Sequence, residues 1–379
     1  EPPMSNTPDT RPGASEEAID KAPETIAEGV DEEVVESNRR LFTGWHWLLF
    51  AGLAIAYSSF HLISLNVYPM ETWSFRLVHI AGALVLGFAL YTGTHFAGEA
   101  GKKRSPAWLG WISYALLVPA GYALFQVWRM QQMIADGAMR IDPAIEAWHF
   151  GYPLLLATVG GILLSWAYRQ VREALSPADL VLMVCSLAVA GYLLVMFNSP
   201  LRASTGTSFA PIGISYAAIA GSLLILELTR RVAGLALVII SAIFLIYVFA
   251  GPYLPGFLGY PGLSLNRFFS QVYTDAGILG PTTAVSSTYI ILFIIFAAFL
   301  QASKVGDYFV NFAFAAAGRA RGGPAKVSIF ASGLMGMING TSAGNVVSTG
   351  SLTIPLMKKV CDPARSAGAI EAAASTGGQ

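Results

Sequence analysis

Between Pro324 and Lys359, two apolar helical segments flank a polar interruption at residues 339–345, where the side chains could bind a small ion. The candidate site residues are Asn339, Gly340, Thr341, Ser342, Gly344 and Asn345. Neutral amide and hydroxyl oxygens, together with free carbonyl groups at a helix end, suit a hard monovalent cation such as Na⁺. The candidate Na⁺ ligands are Asn339, Thr341, Ser342 and Asn345. The two glycines let the backbone turn and approach a ligand closely.

Each apolar half is too short to cross a bilayer. Residues 325–338 would reach about 21 Å and residues 346–356 about 17 Å, against a hydrocarbon core of roughly 30 Å. A polar break at membrane depth is tolerated only where it is buried in protein or lines a watery cavity, which is where carriers hold cargo and ions. The alternative is that the small residues only let helices pack closely. No carboxylate, the group expected at a proton site, lies within residues 339–345.

The composition predicts an all-α polytopic membrane protein. The 379 residues are 54% hydrophobic and 12% charged, with a mean hydropathy of +0.56, whereas soluble domains are about 25% charged. Residues 1–44 are acidic and poor in large apolar side chains, so we expect a disordered cytoplasmic tail. No signal peptide is recognised, and we expect Met4 to be the true start and the carboxyl-terminal end to be cut.

Eight apolar runs long enough to span a membrane precede the polar interruption. They are Trp45–Leu65, Phe75–Phe96, Leu109–Trp128, Gly151–Tyr168, Leu180–Phe197, Ile212–Leu228, Ala233–Ala250 and Ser286–Leu300. With the tail inside, the inner segments hold thirteen Lys and Arg residues and the outer segments five. This asymmetry predicts a cytoplasmic amino terminus, and the broken hairpin then enters the bilayer from the cytoplasmic side.

The histidines raise a competing hypothesis, a haem-binding membrane cytochrome subunit of a respiratory complex. His46 and His61 on the first span could pair with His95 and His79 on the second as axial ligands. The helical phase argues against this, because His79 and His95 fall about 160° apart on one helix. The two cysteines have no metal-binding spacing, so outside this alternative we expect no cofactor. No nucleotide loop, catalytic triad or nucleic-acid motif indicates an enzyme or a nucleic-acid partner.

Three other charged sites have simple interpretations. Glu227 and Arg231 are spaced as an i,i+4 surface pair. Arg76 either snorkels to the outer interface or contacts an acidic partner. Glu371 could help to shape a further broken helix after the hairpin.

Residues 319–359 resemble the first hairpin of the large membrane subunit of TRAP transporters, the tripartite ATP-independent periplasmic carriers. The similar motifs are Gly322-Gly323-Pro324-Ala325-Lys326, Ala331-Ser332-Gly333-Leu334-Met335-Gly336, Asn339-Gly340-Thr341-Ser342-Ala343-Gly344-Asn345-Val346-Val347 and Ile354-Pro355-Leu356-Met357-Lys358-Lys359. Residues 266–269 and 371–379 are similar to the fused form, which works with a TAXI-type binding protein. The family's Ser-Gly-Ser-Ser tip falls on residues 339–342, with Asn339 in place of the first Ser. Cys361 stands where the family usually has Gly.

The resemblance implies a multi-pass carrier in the bacterial inner membrane that imports organic acids from a periplasmic TAXI-type protein, usually by Na⁺ symport and by an elevator-type movement. It implies four parts of the chain: a tail (1–44), a four-helix region like the small membrane subunit (45–175), a connecting helix and loop (176–210), and the amino-terminal part of a transport domain like the large subunit (211–379). The family's second hairpin is absent from these residues, so half of a symmetric site is missing.

Overall fold

The computed structural model describes residues 38–96, 105–138, 140–205, 207, 210–303, 305–339, 342–359 and 363–377. The described residues form two compact units, one ending at Leu292 and the other beginning at Phe293. Helices form nearly all of the described regular structure, and the β-type pairing within it is an isolated bridge between Arg39 and Tyr91. The all-α prediction is therefore confirmed.

Eight of the described helical segments are long and apolar enough to span a membrane, as the hydropathy predicted. They are Gly44–Asn66, Thr72–Leu90, Ala107–Ala135, Pro143–Ala167, Pro177–Phe197, Ile212–Ala233, Leu235–Tyr253 and Pro281–Leu300. Five predicted boundaries lie more than three residues from the observed ones: the ends of the second, third and sixth spans and the starts of the fourth and eighth. The second span ends at Leu90 rather than Phe96, because Tyr91 leaves the helix to pair with Arg39. The fourth begins at Pro143 rather than Gly151, because a π-helical turn at Glu146–Gly151 extends it.

The first unit is built around one central helix. Its helices are α1 (Gly44–Asn66), α2 (Thr72–Leu90), α3 (Ala107–Ala115), α4 (Leu117–Ala135), α5 (Tyr152–Ala167), α6 (Pro177–Phe197), α7 (Ile212–Ala233), α8 (Leu235–Ala250) and α9 (Leu265–Val272). Helix α6 packs against α2, α4, α5 and α7, and 67% of its most apolar 18-residue stretch is buried. By contrast, only 6% of the most apolar 18-residue stretch of Leu235–Tyr253, the span that contains α8, is buried. The apolar surface of α8 therefore suits contact with lipid.

A buried ionic network joins three segments of this unit, namely the stretch before α1, the start of α6 and the end of α7. Asp179 at the start of α6 accepts hydrogen bonds from the guanidinium groups of Arg40 and Arg231, the latter at 2.7 Å. Arg231 also binds Glu227 at 2.8 Å, and Glu227 accepts a further bond from Arg230 at 2.9 Å. The predicted i,i+4 pair of Glu227 and Arg231 therefore exists. Its predicted surface position is wrong, because both side chains are at most 2% exposed.

A second buried carboxyl group lies where the π-helical turn meets α6 and α7. Tyr192 donates a hydrogen bond of 2.7 Å to Oε1 of Glu146, and the backbone N–H of Gly213 donates one of 3.2 Å to Oε2. A Cβ atom at position 213 would lie 2.2 Å from the Tyr192 hydroxyl. Only glycine lets α7 begin this close to α6.

Charged and aromatic side chains tie several loops together near the start of α2. Arg76 donates to Asp275 at 3.1 Å and to the carbonyl of Leu279, so this arginine is held within the unit. Arg202 pairs with Glu71 at 2.9 Å and lies over the ring of Trp73. Partial burial opposes ionisation of Glu71, but hydrogen bonds from the Ser74 and Trp73 backbone and from the Ser74 and Arg202 side chains outweigh it and lower the pKa of Glu71.

The second unit is a cluster of shorter helices. They are α10 (Ile291–Ala302, whose first two residues lie in the first unit), α11 (Val305–Ala317), α12 (Gly323–Asn339), α13 (Ser342–Lys359) and α14 (Ala364–Gly377). Helix α12 packs against α11, α13 and α14, and α13 packs against α14. The apolar core between α11 and α12 consists largely of small side chains. Small residues let helix backbones approach closely, so polar side chains on facing helices come within reach of one another.

Candidate ion-binding site

The polar interruption lies where α12 and α13 fold back on each other. Helix α12 follows Gly322, whose φ of 71° lies in the left-handed region, and it has Pro324 in its first turn. Gly340 and Thr341 alone separate the end of α12 from the start of α13, and the two helices pack together. The predicted break over residues 339–345 was therefore too long. Residues 342–345 form the first turn of α13, whose backbone N–H groups lack helical partners.

The structure locates the six predicted residues to different degrees. Asn339 is the last residue of α12, and Ser342 and Gly344 lie in the first turn of α13. Gly340 and Thr341 lie outside the described residues, as do the side chains of Asn339 and Ser342. These five remain predicted site residues. Asn345 is the one predicted ligand whose side-chain contacts are described.

Asn345 is buried between α12 and α13, the two arms of the hairpin, at 1% exposure. Its amide nitrogen donates a hydrogen bond of 2.8 Å to the carbonyl of Ser332 on α12. Its side-chain oxygen Oδ1 is buried and has no hydrogen-bond partner among the described residues. An unpartnered buried oxygen is costly unless an ion, a water molecule or another donor satisfies it. This atom is thus available to bind a cation at the hairpin.

Glu371 of α14 inserts a carboxyl group between the same two arms. Its oxygen Oε2 lies 2.5 Å from the hydroxyls of Ser328 and Thr353. The other oxygen, Oε1, contacts the Thr349 hydroxyl and lies 3.3 Å from that of Ser332. Glu371 and the four hydroxyl residues are all buried, at 0% exposure. The site therefore contains the carboxylate that residues 339–345 lack, so its composition could not be read from the hairpin alone.

The spacing of the hydroxyl residues explains how they meet one carboxyl group. Ser328 and Ser332 are four residues apart on α12, and Thr349 and Thr353 are four residues apart on α13, so each pair shares one helix face. Gly350 leaves room for the acid, since a Cβ atom there would lie 3.1 Å from Cγ of Glu371. These two i,i+4 hydroxyl pairs, and a single acid in the Ala-rich α14, were the sequence signal for this arrangement.

The histidines do not form a haem site in the described part of the chain. Nε2 of His61 lies 2.9 Å from Nδ1 of His79, so the two rings are directly hydrogen-bonded. Axial ligands lie on opposite sides of the iron, at roughly twice a metal–nitrogen distance of about 2 Å. His46 stacks on Phe42, and His95 is exposed beyond the end of α2. The described residues contain no cluster of three His, Cys, Asp or Glu side chains that could hold a metal. The cytochrome hypothesis is not supported.

Together, the eight apolar helices and the packed hairpin define a polytopic helical membrane protein. Residues 220–379 match the family model of the tripartite ATP-independent periplasmic transporter, DctM component. This part of the chain, somewhat less than half of it, is therefore similar to the DctM component of these transporters, a family of permeases that work with a periplasmic solute-binding protein. The comparison with curated proteins found no match, and neither did the comparison with solved structures.

Proposed function

We propose that the protein is the permease of a TRAP-type secondary carrier that imports organic acids driven by a Na⁺ or H⁺ gradient. A TAXI-type periplasmic binding protein delivers the substrate, and the small and large membrane subunits are fused in one chain. The carrier lies in the bacterial inner membrane with its amino terminus in the cytoplasm. The family match supports the class of carrier, and the sequence motifs support the finer assignment.

The observation that carries the proposal is the polar interior of the hairpin. The unpartnered Oδ1 of Asn345 lies near the turn between α12 and α13, in a chain whose other long helices are apolar. In a bilayer such a turn is stable only against protein or in a water-filled cavity. The hairpin therefore enters the membrane without crossing it, binds the coupling ion near its turn, and moves with the transport domain during alternating access.

Transport by purified protein in sealed lipid vesicles tests this function. Vesicles receive a TAXI-type binding protein and a panel of radiolabelled mono- and dicarboxylic acids, and an inward Na⁺ gradient or an inward pH gradient is imposed separately. We expect at least one acid to accumulate only when both a gradient and the binding protein are present. Uptake that needs neither would contradict a gradient-driven tripartite carrier, and so would the absence of uptake of every acid by correctly inserted protein.

A further inference from the structure

We propose that Glu371 is a proton-binding residue of the hairpin, and that its charge state selects between two hydrogen-bond arrangements joining α12, α13 and α14. The inference rests on the proposed function in that the proton taken up would be one of the ions coupled to transport. The evidence for this proposal is the contact of the Thr349 and Thr353 hydroxyls with Glu371.

Each of these hydroxyls lies within hydrogen-bond distance of a backbone carbonyl and of the acid, and that of Thr349 also lies 3.2 Å from the Ser332 hydroxyl. Oγ1 of Thr349 is 2.9 Å from the carbonyl oxygen of Asn345 and also contacts Oε1 of Glu371. Oγ1 of Thr353 is 2.9 Å from the carbonyl oxygen of Thr349 and 2.5 Å from Oε2 of Glu371. A hydroxyl has a single proton to donate. Each threonine can therefore donate either to the backbone of α13 or to the acid, but not to both.

The protonation of Glu371 decides between these choices. An ionised carboxylate only accepts hydrogen bonds, so Thr349 and Thr353 turn their protons toward it. A neutral carboxyl group has one proton of its own, which Oε2 can donate to Thr353, and Thr353 then donates to the carbonyl of Thr349. One proton bound at Oε2 thus reverses the direction of a hydrogen bond between α14 and α13.

The charged residues on the packed helices provide no described counter-ion for Glu371. The charged residues that α12, α13 and α14 carry besides Glu371 are Lys326, Lys358, Lys359 and Arg365, and all four are exposed. Within the described part of the chain, Glu371 has no ion-pair partner. Burial without a counter-ion disfavours the carboxylate, whereas four surrounding hydroxyls favour it. The hydroxyl partners of Glu371 can therefore form hydrogen bonds with its ionised form and with its neutral form.

The same threonines link the acid to the predicted ion ligand. Thr349 contacts Glu371 with its hydroxyl and lies 2.9 Å from the backbone oxygen of Asn345, whose side chain bridges to α12. A change in the charge of Glu371 thus reaches both arms of the hairpin next to the unpartnered Oδ1 of Asn345. Ion binding at the turn and proton binding at Glu371 would be coupled, each changing the affinity for the other.

Infrared difference spectroscopy of the purified protein in lipid nanodiscs, between acidic and alkaline pH, tests proton binding directly. We expect a C=O stretching band of a protonated carboxyl group that is lost in Glu371→Gln. Glu146→Gln is the matched control, because Glu146 is likewise a deeply buried glutamate held by hydrogen bonds from a hydroxyl and a backbone N–H, and this variant should keep the Glu371 band. A pH-difference spectrum that is the same in Glu371→Gln as in the unchanged protein would overturn the proposal.

A second variant keeps the test decisive if Glu371→Gln does not fold. Thr349→Val with Thr353→Val leaves the acid in place and removes two of its hydroxyl partners. We expect the carboxyl band to shift in frequency, because its strongest hydrogen bonds are gone. An unshifted band would overturn the assignment of the two arrangements.

Hydrogen exchange over residues 323–359 then measures the effect on the two arms. After correction for the intrinsic pH dependence of exchange, we expect pH to change protection in the unchanged protein and not in Glu371→Gln. Equal pH dependence in both would contradict the switch. These readouts need no substrate. If the unchanged protein shows no Glu371 band but takes up substrate under a gradient, this inference alone is contradicted. A normal band without uptake would instead sink the proposed function.

Discussion

At the scale of single residues, the chain stabilises its buried acids in different ways. Asp179 and Glu227 are compensated by arginines, whereas Glu146 is held by a tyrosine and a backbone N–H and Glu371 by hydroxyl groups. A guanidinium group keeps its proton throughout the physiological range, so the first arrangement fixes a negative charge on the acid. A hydroxyl can donate or accept a hydrogen bond, so the arrangement around Glu371 brings no opposite charge to the acid.

The ionic network predicts a large stability difference between buried and exposed pairs. Asp179→Asn leaves Arg40 and Arg231 buried without their shared counter-ion, and we expect a loss of about 3–5 kcal/mol. Glu71→Gln is the matched control, because its partner Arg202 and Glu71 itself are both 38% exposed, and it should cost at most about 1 kcal/mol. Thermal unfolding in detergent measures both changes. Similar losses would mean that the buried network does not hold the first unit together.

The unpartnered oxygen of Asn345 predicts a defect in ion coupling. Asn345→Ala should raise the Na⁺ concentration for half-maximal uptake about tenfold, corresponding to about 1.4 kcal/mol of lost ion binding, while membrane insertion stays intact. Ser342→Ala tests another of the four predicted Na⁺ ligands in the same assay. Asn66→Ala is the control, because that exposed amide bonds only to its own helix. An unchanged sodium dependence in both hairpin variants would exclude these residues as ligands.

At the scale of helices, the close approach of α6 and α7 depends on Gly213. Gly213→Ala would place Cβ 2.2 Å from the Tyr192 hydroxyl, and we expect a loss of about 1–3 kcal/mol because α7 must move away from Glu146. Gly121→Ala is the matched control. This glycine lies within α4 with nothing within 4 Å of the added atom, so alanine should stabilise the helix by about 0.5–1 kcal/mol. Opposite signs in a thermal-shift assay are expected, and a neutral Gly213→Ala would refute the close packing.

The exposed apolar surface of α8 predicts contact with lipid. Ile243, at 60% exposure, lies in the middle of this helix, and Ile243→Arg should cost about 2.5–3.5 kcal/mol of membrane insertion. Phe257→Arg is the control, since Phe257 is 95% exposed in a short turn beyond the helix. Glycosylation-site mapping or protease protection reports insertion. Normal insertion of Ile243→Arg would place α8 against water or protein instead of lipid.

At the scale of the whole molecule, the distribution of charge predicts the orientation in the membrane. Leu41→Cys and Arg202→Cys should react from the cytoplasmic and the outer side respectively, because inner segments carry the excess of Lys and Arg. Leu41 is 56% exposed, so a thiol at that position is accessible. Labelling with a membrane-impermeant reagent in intact and opened cells measures this. Reaction of Leu41→Cys in intact cells would contradict the proposed orientation.

Much of the architecture was predictable because it depends on local properties. The eight spans follow from hydropathy and length alone, since a bilayer requires each spanning helix to satisfy its own backbone and to be apolar over its whole length. The hairpin at Gly340 and Thr341 was likewise visible as two apolar segments around a polar, glycine-containing turn. Its boundaries were wrong by a turn, because Ser342 and Asn345 suit the start of a helix as well as a loop.

The sequence by itself determined that this protein has eight apolar helices long enough to span a membrane and a helical hairpin near Asn345, because these features depend on contiguous residues. Tertiary structure alone decided which distant side chains meet. Glu371 reaches Ser328 across 43 residues, and Asp179 reaches Arg40 across 139. Hydropathy indicates how apolar a segment is, but it does not indicate which helix faces pack against each other. The polar partners of a buried acid are therefore settled only when the helices pack.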